Sequence, residues 1–178
     1  MTGIHAKLSR EEVAALVCST LENHGVSVVL CGGAVASIYA QNEFESLDLD
    51  FVPTGIHKDV SRAMKALGFA EKNRHWVHPG TRFGVEFSPG PVMADDRLVE
   101  EFAERSTRAG DLRLLLPTEC VIDRLAGFYF WNDPQCLEQA VAVAIAQRRT
   151  VDMPRIERWS RRRGMAARFE TFRERLGP

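Results

Sequence analysis

One hexapeptide, Ser46-Leu-Asp-Leu-Asp-Phe51, alternates apolar side chains with carboxylates. This period of two predicts a β-strand over residues 47–52, with the apolar side chains toward the core. Asp48 and Asp50 then share the other face, where two like charges repel by about 1–3 kcal/mol in a strand that already disfavours aspartate. The pair therefore either lies on a solvated edge or holds a cation, and carboxylate oxygens suit Mg²⁺.

The region before this strand contains two adjacent glycines. Residues 27–31 form a short apolar run that predicts a buried strand, and residues 34–41 have the small and apolar pattern of a helix. Gly32 and Gly33 join the two segments. Glycines at such a turn let backbone N–H groups approach a phosphate, and the helix N-terminus adds favourable partial charge. A plain structural connector is the alternative interpretation.

A third acid, Glu86, lies between two apolar neighbours. Residues 82–87 and 74–78 flank Pro79-Gly80, a pattern that indicates a β-hairpin. If the strand containing Glu86 lies beside residues 47–52, the three carboxylates form one cluster. Such a shared set of oxygens can hold two Mg²⁺ ions. The alternative is a surface glutamate.

Three further polar residues are considered for binding. His75 and His78 of the predicted hairpin are expected to be surface residues rather than contacts to a base. Arg124 follows Asp123 on a predicted helix, where it is expected either to form part of an ion-paired face or to bind phosphate.

The remaining periodicities predict mostly helices. A capping box opens a helix over residues 10–23, and residues 111–116 predict another strand, after which no strand signal follows. Further helices are predicted over residues 57–67, 118–131, 134–149, 154–163 and 166–176, and residues 92–105 are expected to be partly helical. The sequence thus divides into a mixed α/β core, residues 1–116, and a helical C-terminal region, residues 117–178.

Charge is distributed unevenly along the chain. The net charge is −1, but from residue 148 onward ten arginines face four acidic residues, or about +6, which leaves about −7 on the preceding part. Phosphate contacts require clustered cations, so these arginine-rich helices predict an RNA-binding track. A solvated, self-neutralising surface is the alternative, because Glu157, Glu170 and Glu174 are interspersed with the arginines.

The four cysteines are scattered, without a Cys-x-x-Cys pair or a histidine at zinc-binding spacing. They are expected to be reduced thiols, which predicts a cytoplasmic protein. Apolar runs are too short to span a membrane and the N-terminus lacks the order of a signal peptide, so no membrane partner is expected.

The glycine turn, the Asp48-x-Asp50 pair and the later acid Glu86 together resemble the nucleotidyltransferase superfamily. In that superfamily a Gly-Gly or Gly-Ser turn precedes an Asp-x-Asp strand, and a third acid lies on a later strand. Ser46 matches the Ser or Thr often found two residues before the pair. The chain looks most like the bacterial subgroup of abortive-infection type IV toxin nucleotidyltransferases, in which a segment similar to residues 116–126 opens the helical part.

The resemblance implies an α+β (α/β) fold, a minimal nucleotidyltransferase fold with a mixed sheet flanked by helices and a helical C-terminal region. It implies transfer of a nucleoside monophosphate from an NTP such as ATP to a hydroxyl of RNA, for instance a tRNA end, of a protein or of a small molecule. The implied catalytic and metal-binding residues, with Mg²⁺ or Mn²⁺ as cofactor, are Asp48, Asp50 and Glu86. The implied nucleotide-binding residues are Gly32, Gly33, Ser46 and Arg124.

Two alternatives to an active enzyme stay open. One is a catalytically silent nucleotide- or partner-binding protein of the same fold, which is favoured by Glu43-Phe-Glu45 at the place where many relatives carry an arginine. The intact acids favour the enzyme. The other is a toxin held by an antitoxin protein.

Overall fold

The computed structural model describes residues 3–54, 59–94 and 97–177, and within these ranges the chain forms seven helices and nine strands. The helices are α1 (Arg10–Asn23), α2 (Gly32–Tyr39), α3 (Val60–Ala66), α4 (Pro117–Trp131), α5 (Pro134–Ala146), α6 (Met153–Arg162) and α7 (Ala166–Leu176). The strands are β1 (Val28–Cys31), β2 (Asp48–Pro53), β3 (Ala70–Lys72), β4 (His75–Val77), β5 (Gly84–Phe87), β6 (Met93–Ala94), β7 (Arg97–Leu98), β8 (Ala103–Thr107) and β9 (Gly110–Leu114).

Seven of these strands form one mixed sheet in the order β3-β4-β5-β2-β1-β9-β8, and β6 pairs with β7 separately. The central strand β2 is antiparallel to β1 and parallel to β5, and β1 is parallel to β9. The outer strands β4 and β8 are antiparallel to β5 and β9. The predicted α+β class, with a mixed sheet flanked by helices, is confirmed.

The core lies around the inner strands. Leu30 on β1, Phe51 on β2 and Leu114 on β9 are fully buried, and α1 packs against β1 and β9. The predicted capping box starts α1. The Ser9 amide donates to Glu12 Oε2 at 2.8 Å, and the Glu12 amide donates to Ser9 Oγ at 3.2 Å. The first helix is thereby fixed in position beside the sheet.

The helices that follow the sheet pack on α2 and on one another. α4 and α5 contact each other and α2, and each begins with a proline, which suits the first helical position. The Tyr39 hydroxyl donates to the Leu115 carbonyl at 2.7 Å. One buried apolar cluster contains residues of both regions, and the division at residues 116 and 117 stays a prediction. None of the helices in the described ranges has the length and hydropathy needed to cross a bilayer.

The expectation of partial helix over residues 92–105 is wrong for the described residues of that range. They form β6, β7 and β8 instead, and β8 pairs with β9 along five residues. The side chains of β8 alternate between half-buried and exposed, but the ladder that stabilises this edge strand comes from β9, which a local pattern does not contain. The helix predicted over residues 57–67 is present as α3, while residues 57 and 58 lie outside the described residues.

Candidate active site

Four polar side chains form a row across the sheet. Asp50 on β2 is paired in register with Cys31 on β1 and with Glu86 on β5. Glu86 is in turn paired with His75 on β4. Directly paired residues of adjacent strands project to the same face, as does Asp48, two residues before Asp50. The structure therefore brings the three predicted acids together on one face.

Three side chains on this face converge closely enough for one ion. A potential ligand atom from each of Asp48, His75 and Glu86 lies within 4.8 Å of the other two. His75 Nδ1 is 2.5 Å from Glu86 Oε1, and about half of the His75 side chain is exposed. Carboxylate oxygen and imidazole nitrogen are both ligands for divalent cations, so the donor set fits a cation.

The site histidine could not be identified from the hairpin sequence alone. Counting outward from Pro79-Gly80 pairs His75 with Gly84, but the observed register, shifted by two residues, pairs it with Glu86. His78, the other histidine, is half-buried: its ring packs on Phe69 at 5.2 Å and its Nδ1 accepts from the Gly80 amide at 2.9 Å. The prediction of a surface residue is therefore right about the exposure of His75, but the contact between His75 and Glu86 was not predicted.

Asp50 is the most deeply placed of the three acids. Burial, followed by the negative charges of Glu86 and Asp48, raises the pKa of its carboxyl from 3.8 to about 6, and the Arg124 guanidinium opposes this only in part. The cluster is therefore short of positive charge. A divalent cation among these oxygens would stabilise the ionised form of Asp50.

The glycine turn lies directly against the acids. Gly32 has φ +74°, and a Cβ at this position would come within 2.5 Å of Asp50 Oδ2. A Cβ on Gly33 would lie 3.4 Å from Ser46 Oγ. Glycine is thus required at residue 32 by both backbone conformation and space. The N-terminal amides of α2 consequently lie beside Asp50 and Ser46, where the sequence predicted a phosphate.

A buried arginine fixes the loop that leads into β2. Arg10 donates to Ser37 Oγ at 2.5 Å, Asn42 Oδ1 at 2.7 Å and the Ser46 carbonyl at 2.9 Å. This role of Arg10 was not predicted, although the residue lies on the same helical face as Val13, an apolar position of α1. A cation on the buried face of an amphipathic helix is the signal that could have identified it.

Arg124 is held beside the site by its neighbours. Its Nη2 lies 2.6 Å from Asp123 Oδ2 and its Nη1 lies 3.3 Å from Gln139 Oε1, with 17% of the side chain exposed. Burial alone lowers the pKa of Arg124, but the Asp123 carboxylate outweighs it, and the net change is a rise. The expected ion pair with Asp123 is present, and phosphate binding by Arg124 stays a prediction.

A groove of about 1000 Å³ is lined by none of the three acids. It lies where the chain enters β2 and β5, and its lining includes Phe44, Glu45 and Phe83. Glu45, one of the two acids that stand where an arginine was expected from the resemblance, is paired with Arg82 at 2.8 Å. Its charge is therefore balanced locally.

The arginine-rich end is partly neutralised within the protein. Among the described residues, four of its arginines pair with carboxylates, which are Arg155 with Glu119, Arg161 with Glu157, Arg173 with Glu170 and Arg175 with Glu138. This pattern agrees with the self-neutralising alternative for these positions. An RNA track along α6 and α7 stays a prediction.

Comparison with known proteins identifies the fold. No protein-family model and no curated protein sequence matches the chain. Among solved structures, an antigenic nucleotidyltransferase-like protein from Paracoccidioides brasiliensis has a TM-score of 0.59 at 10% identity, covering 78% of this chain and 77% of that one.

Two structures of ANT(2'')-Ia, an antibiotic-resistance factor, are similar as well. The solution structure has a TM-score of 0.52 at 12% identity and covers 89% of this chain and 94% of that one. The crystal structure with adenylyl-2''-tobramycin has a TM-score of 0.53 at 10% identity and covers 86% and 94%. These solved structures therefore share the fold of this chain.

Proposed function

We propose that this chain, which has the nucleotidyltransferase fold, transfers a nucleoside monophosphate from an NTP to an acceptor hydroxyl with the help of a divalent cation. The observation that carries the proposal is the placement of Asp48, Asp50 and Glu86 on one face of two adjacent parallel strands, against the turn at Gly32. Three acids gathered at such a turn are costly without a cation and useful with one.

The bonds that change are at the α-phosphorus of the NTP. The acceptor oxygen forms a bond to this phosphorus, the bond to the oxygen that bridges to the β-phosphate breaks, and pyrophosphate leaves. Divalent cations, when bound, neutralise the phosphate charge and lower the pKa of the attacking hydroxyl. In this proposal Glu86 helps to hold a cation and accepts the hydroxyl proton.

Groups around the acids would hold the triphosphate. The N-terminal amides of α2, which begins at Gly32, are donors, and the Arg124 guanidinium supplies positive charge. The Ser46 hydroxyl, which donates to the Asp48 carbonyl at 3.1 Å, would turn to the phosphate instead. Asp123 and Gln139 orient Arg124 through their contacts. Catalysis by these groups is mainly positioning and charge neutralisation.

A small polar molecule is the acceptor class that we propose first. The groove where the chain enters β2 and β5 carries both signs of charge, from Glu43, Glu45 and Arg82, and is large enough for a drug-sized compound. One structural neighbour was solved with a nucleotidylated small molecule, adenylyl-2''-tobramycin. RNA at the arginine-rich helices and a protein hydroxyl are the other classes to be tested.

The test uses NTPs labelled at the α-phosphate, Mg²⁺ or Mn²⁺, and three acceptor pools: hydroxylated small molecules, bulk RNA and the protein itself. We expect label to be transferred to one pool by the wild-type chain and to be lost in Asp48→Ala and Asp50→Ala. Asp111→Asn is the matched control, since Asp111 is exposed on β9 and accepts from Ser106 at 2.7 Å. It should retain the activity.

Failure has two distinguishable forms. Nucleotide binding without transfer to any pool would support the silent binding protein and refute catalysis. Absence of both binding and transfer would refute the nucleotide site itself. The toxin and antitoxin hypotheses stay predictions, and the gene neighbourhood together with a growth assay on expression would test them.

A further inference from the structure

We propose that His75 is a metal ligand together with Asp48 and Glu86, and that its imidazole shifts the preference of the centre from Mg²⁺ toward Mn²⁺ and Zn²⁺. This inference rests on the cation site of the proposed function and deepens it. It adds to the three predicted acids a nitrogen donor that comes from the neighbouring hairpin strand.

The distances suit direct ligation by all three side chains. Ligand atoms bonded to one ion at about 2.0–2.2 Å lie at most about 4.4 Å from one another. The potential ligand atoms of Asp48, His75 and Glu86 already lie within 4.8 Å of one another. Small rotations of exposed side chains are enough to close the difference.

The backbone holds the imidazole over the carboxylates. His75 is paired in register with Glu86, and the next residue, Trp76, is paired with Val85 and is 5% exposed. Because adjacent residues of a strand project to opposite faces, the buried indole fixes which face His75 occupies. The position of the imidazole is thus set by core packing on the other side of the sheet.

Ligand chemistry gives the direction of the selectivity. Mg²⁺ prefers oxygen ligands in a regular octahedron and gains little from imidazole. Imidazole nitrogen binds Zn²⁺ and other first-row transition cations well, and affinity rises from Mn²⁺ toward Zn²⁺ along the series. A site that adds one imidazole to its carboxylates therefore favours these cations over Mg²⁺ more than carboxylates alone would.

A second role for His75 makes a different prediction. The imidazole could serve only to orient Glu86 through the 2.5 Å contact between Nδ1 and Oε1, without touching the ion. A positioning residue of this kind supports every cation that Glu86 binds, so its loss should weaken Mg²⁺ and Mn²⁺ alike. Loss of a direct ligand should weaken Mn²⁺ selectively.

The experiment measures metal binding to the full chain without nucleotide. Titration calorimetry gives the Mg²⁺ and Mn²⁺ affinities of the wild type and of His75→Gln, with His5→Gln as the control because His5 is exposed and outside the sheet. We expect His75→Gln to weaken Mn²⁺ by about tenfold or more and to change Mg²⁺ by less than about threefold. Equal loss for both cations, or no loss of Mn²⁺ affinity, would overturn the proposal.

A spectroscopic measurement on the wild type does not depend on whether the variant folds. Pulsed electron paramagnetic resonance of bound Mn²⁺ detects coupling to a directly coordinated imidazole nitrogen. We expect this coupling in the wild type and in His5→Gln, and its absence would refute ligation by His75. Coupling without nucleotidyl transfer would leave this inference intact while the proposed function fails, and transfer without coupling would do the reverse.

Discussion

Replacing Asp50 with asparagine should stabilise the metal-free protein. Burial and the neighbouring Glu86 and Asp48 raise the pKa of Asp50 from 3.8 to about 6, so the folded protein favours the protonated carboxyl more than the unfolded chain does. This contribution to stability is fully present below about pH 4 and is lost as the pH rises through about 6. The asparagine amide carries no charge at any of these pH values, so the variant avoids the loss.

The size of the effect follows from the pKa. A rise from 3.8 to about 6 corresponds to at most about 3 kcal/mol at neutral pH. Because part of the Asp50 side chain is accessible to solvent, which screens the repulsion, we expect an increase of about 1–2 kcal/mol in the free energy of unfolding. Near pH 4 the difference between wild type and Asp50→Asn should be close to zero.

The assay is urea denaturation in EDTA, followed by circular dichroism between about pH 4 and pH 8. Asp111→Asn, which replaces an exposed aspartate on another strand of the same sheet, is the matched control and should change stability by less than about 0.5 kcal/mol. Adding Mg²⁺ or Mn²⁺ at about 100 times its Kd should stabilise the wild type by about 2.7 kcal/mol and Asp50→Asn by less. Asp50→Asn that is less stable than wild type at neutral pH in EDTA would refute the electrostatic account.

Three further substitutions test the support around the acids. Gly32→Ala should lower the free energy of unfolding by clearly more than Gly25→Ala. Both glycines have φ +74°, and the left-handed backbone costs about 1–2 kcal/mol in each, but only at Gly32 would the added Cβ meet Asp50. Equal losses in urea unfolding would contradict the close approach. Arg10→Met should cost about 2–4 kcal/mol in the same assay because it leaves the buried Ser37 hydroxyl on α2, and the Ser46 carbonyl in the loop before β2, without their donor. Arg124→Ala should raise the Kd for NTP in a calorimetric titration by about tenfold or more through loss of a charge-assisted contact, and an unchanged Kd would remove this residue from the nucleotide site.

The sequence predicts the elements that carry periodic signals. The boundaries of α1 agree with the prediction over residues 10–23, because a capping box and a regular apolar stripe define both its start and its face. The strand with Asp48 and Asp50 is predicted correctly because strict alternation of apolar and acidic residues fits a half-buried strand and not the period of a helix. Leu47 is the exception, since it lies one residue before β2 and is 44% exposed instead of facing the core. Long, strongly patterned segments are predictable from local sequence alone.

The remainder depends on pairing between distant segments. β3 has three exposed residues and no alternation, and it exists because β4 offers it an edge. β8 is also an edge strand that depends on pairing, in its case with β9, although its side chains alternate between half-buried and exposed. Glu86 was expected beside Asp50 only if the two strands are neighbours. The contact of His75 with Glu86 depends on a hairpin register that the turn residues do not reveal. Arg10 was missed because a buried cation at the start of a helix resembles an ordinary surface residue.

The parallel pairing of β2 with β5 also has a kinetic consequence. Asp50 and Glu86 are far apart in sequence and become neighbours only when these two strands pair, so the repulsion between them arises late, as long-range contacts form. A divalent cation that binds only after this pairing would leave the folding rate nearly unchanged and slow unfolding instead. Bound cation would then lengthen the lifetime of the native state, and stopped-flow unfolding at increasing Mn²⁺ would show the rate constant falling while the refolding rate constant stays level.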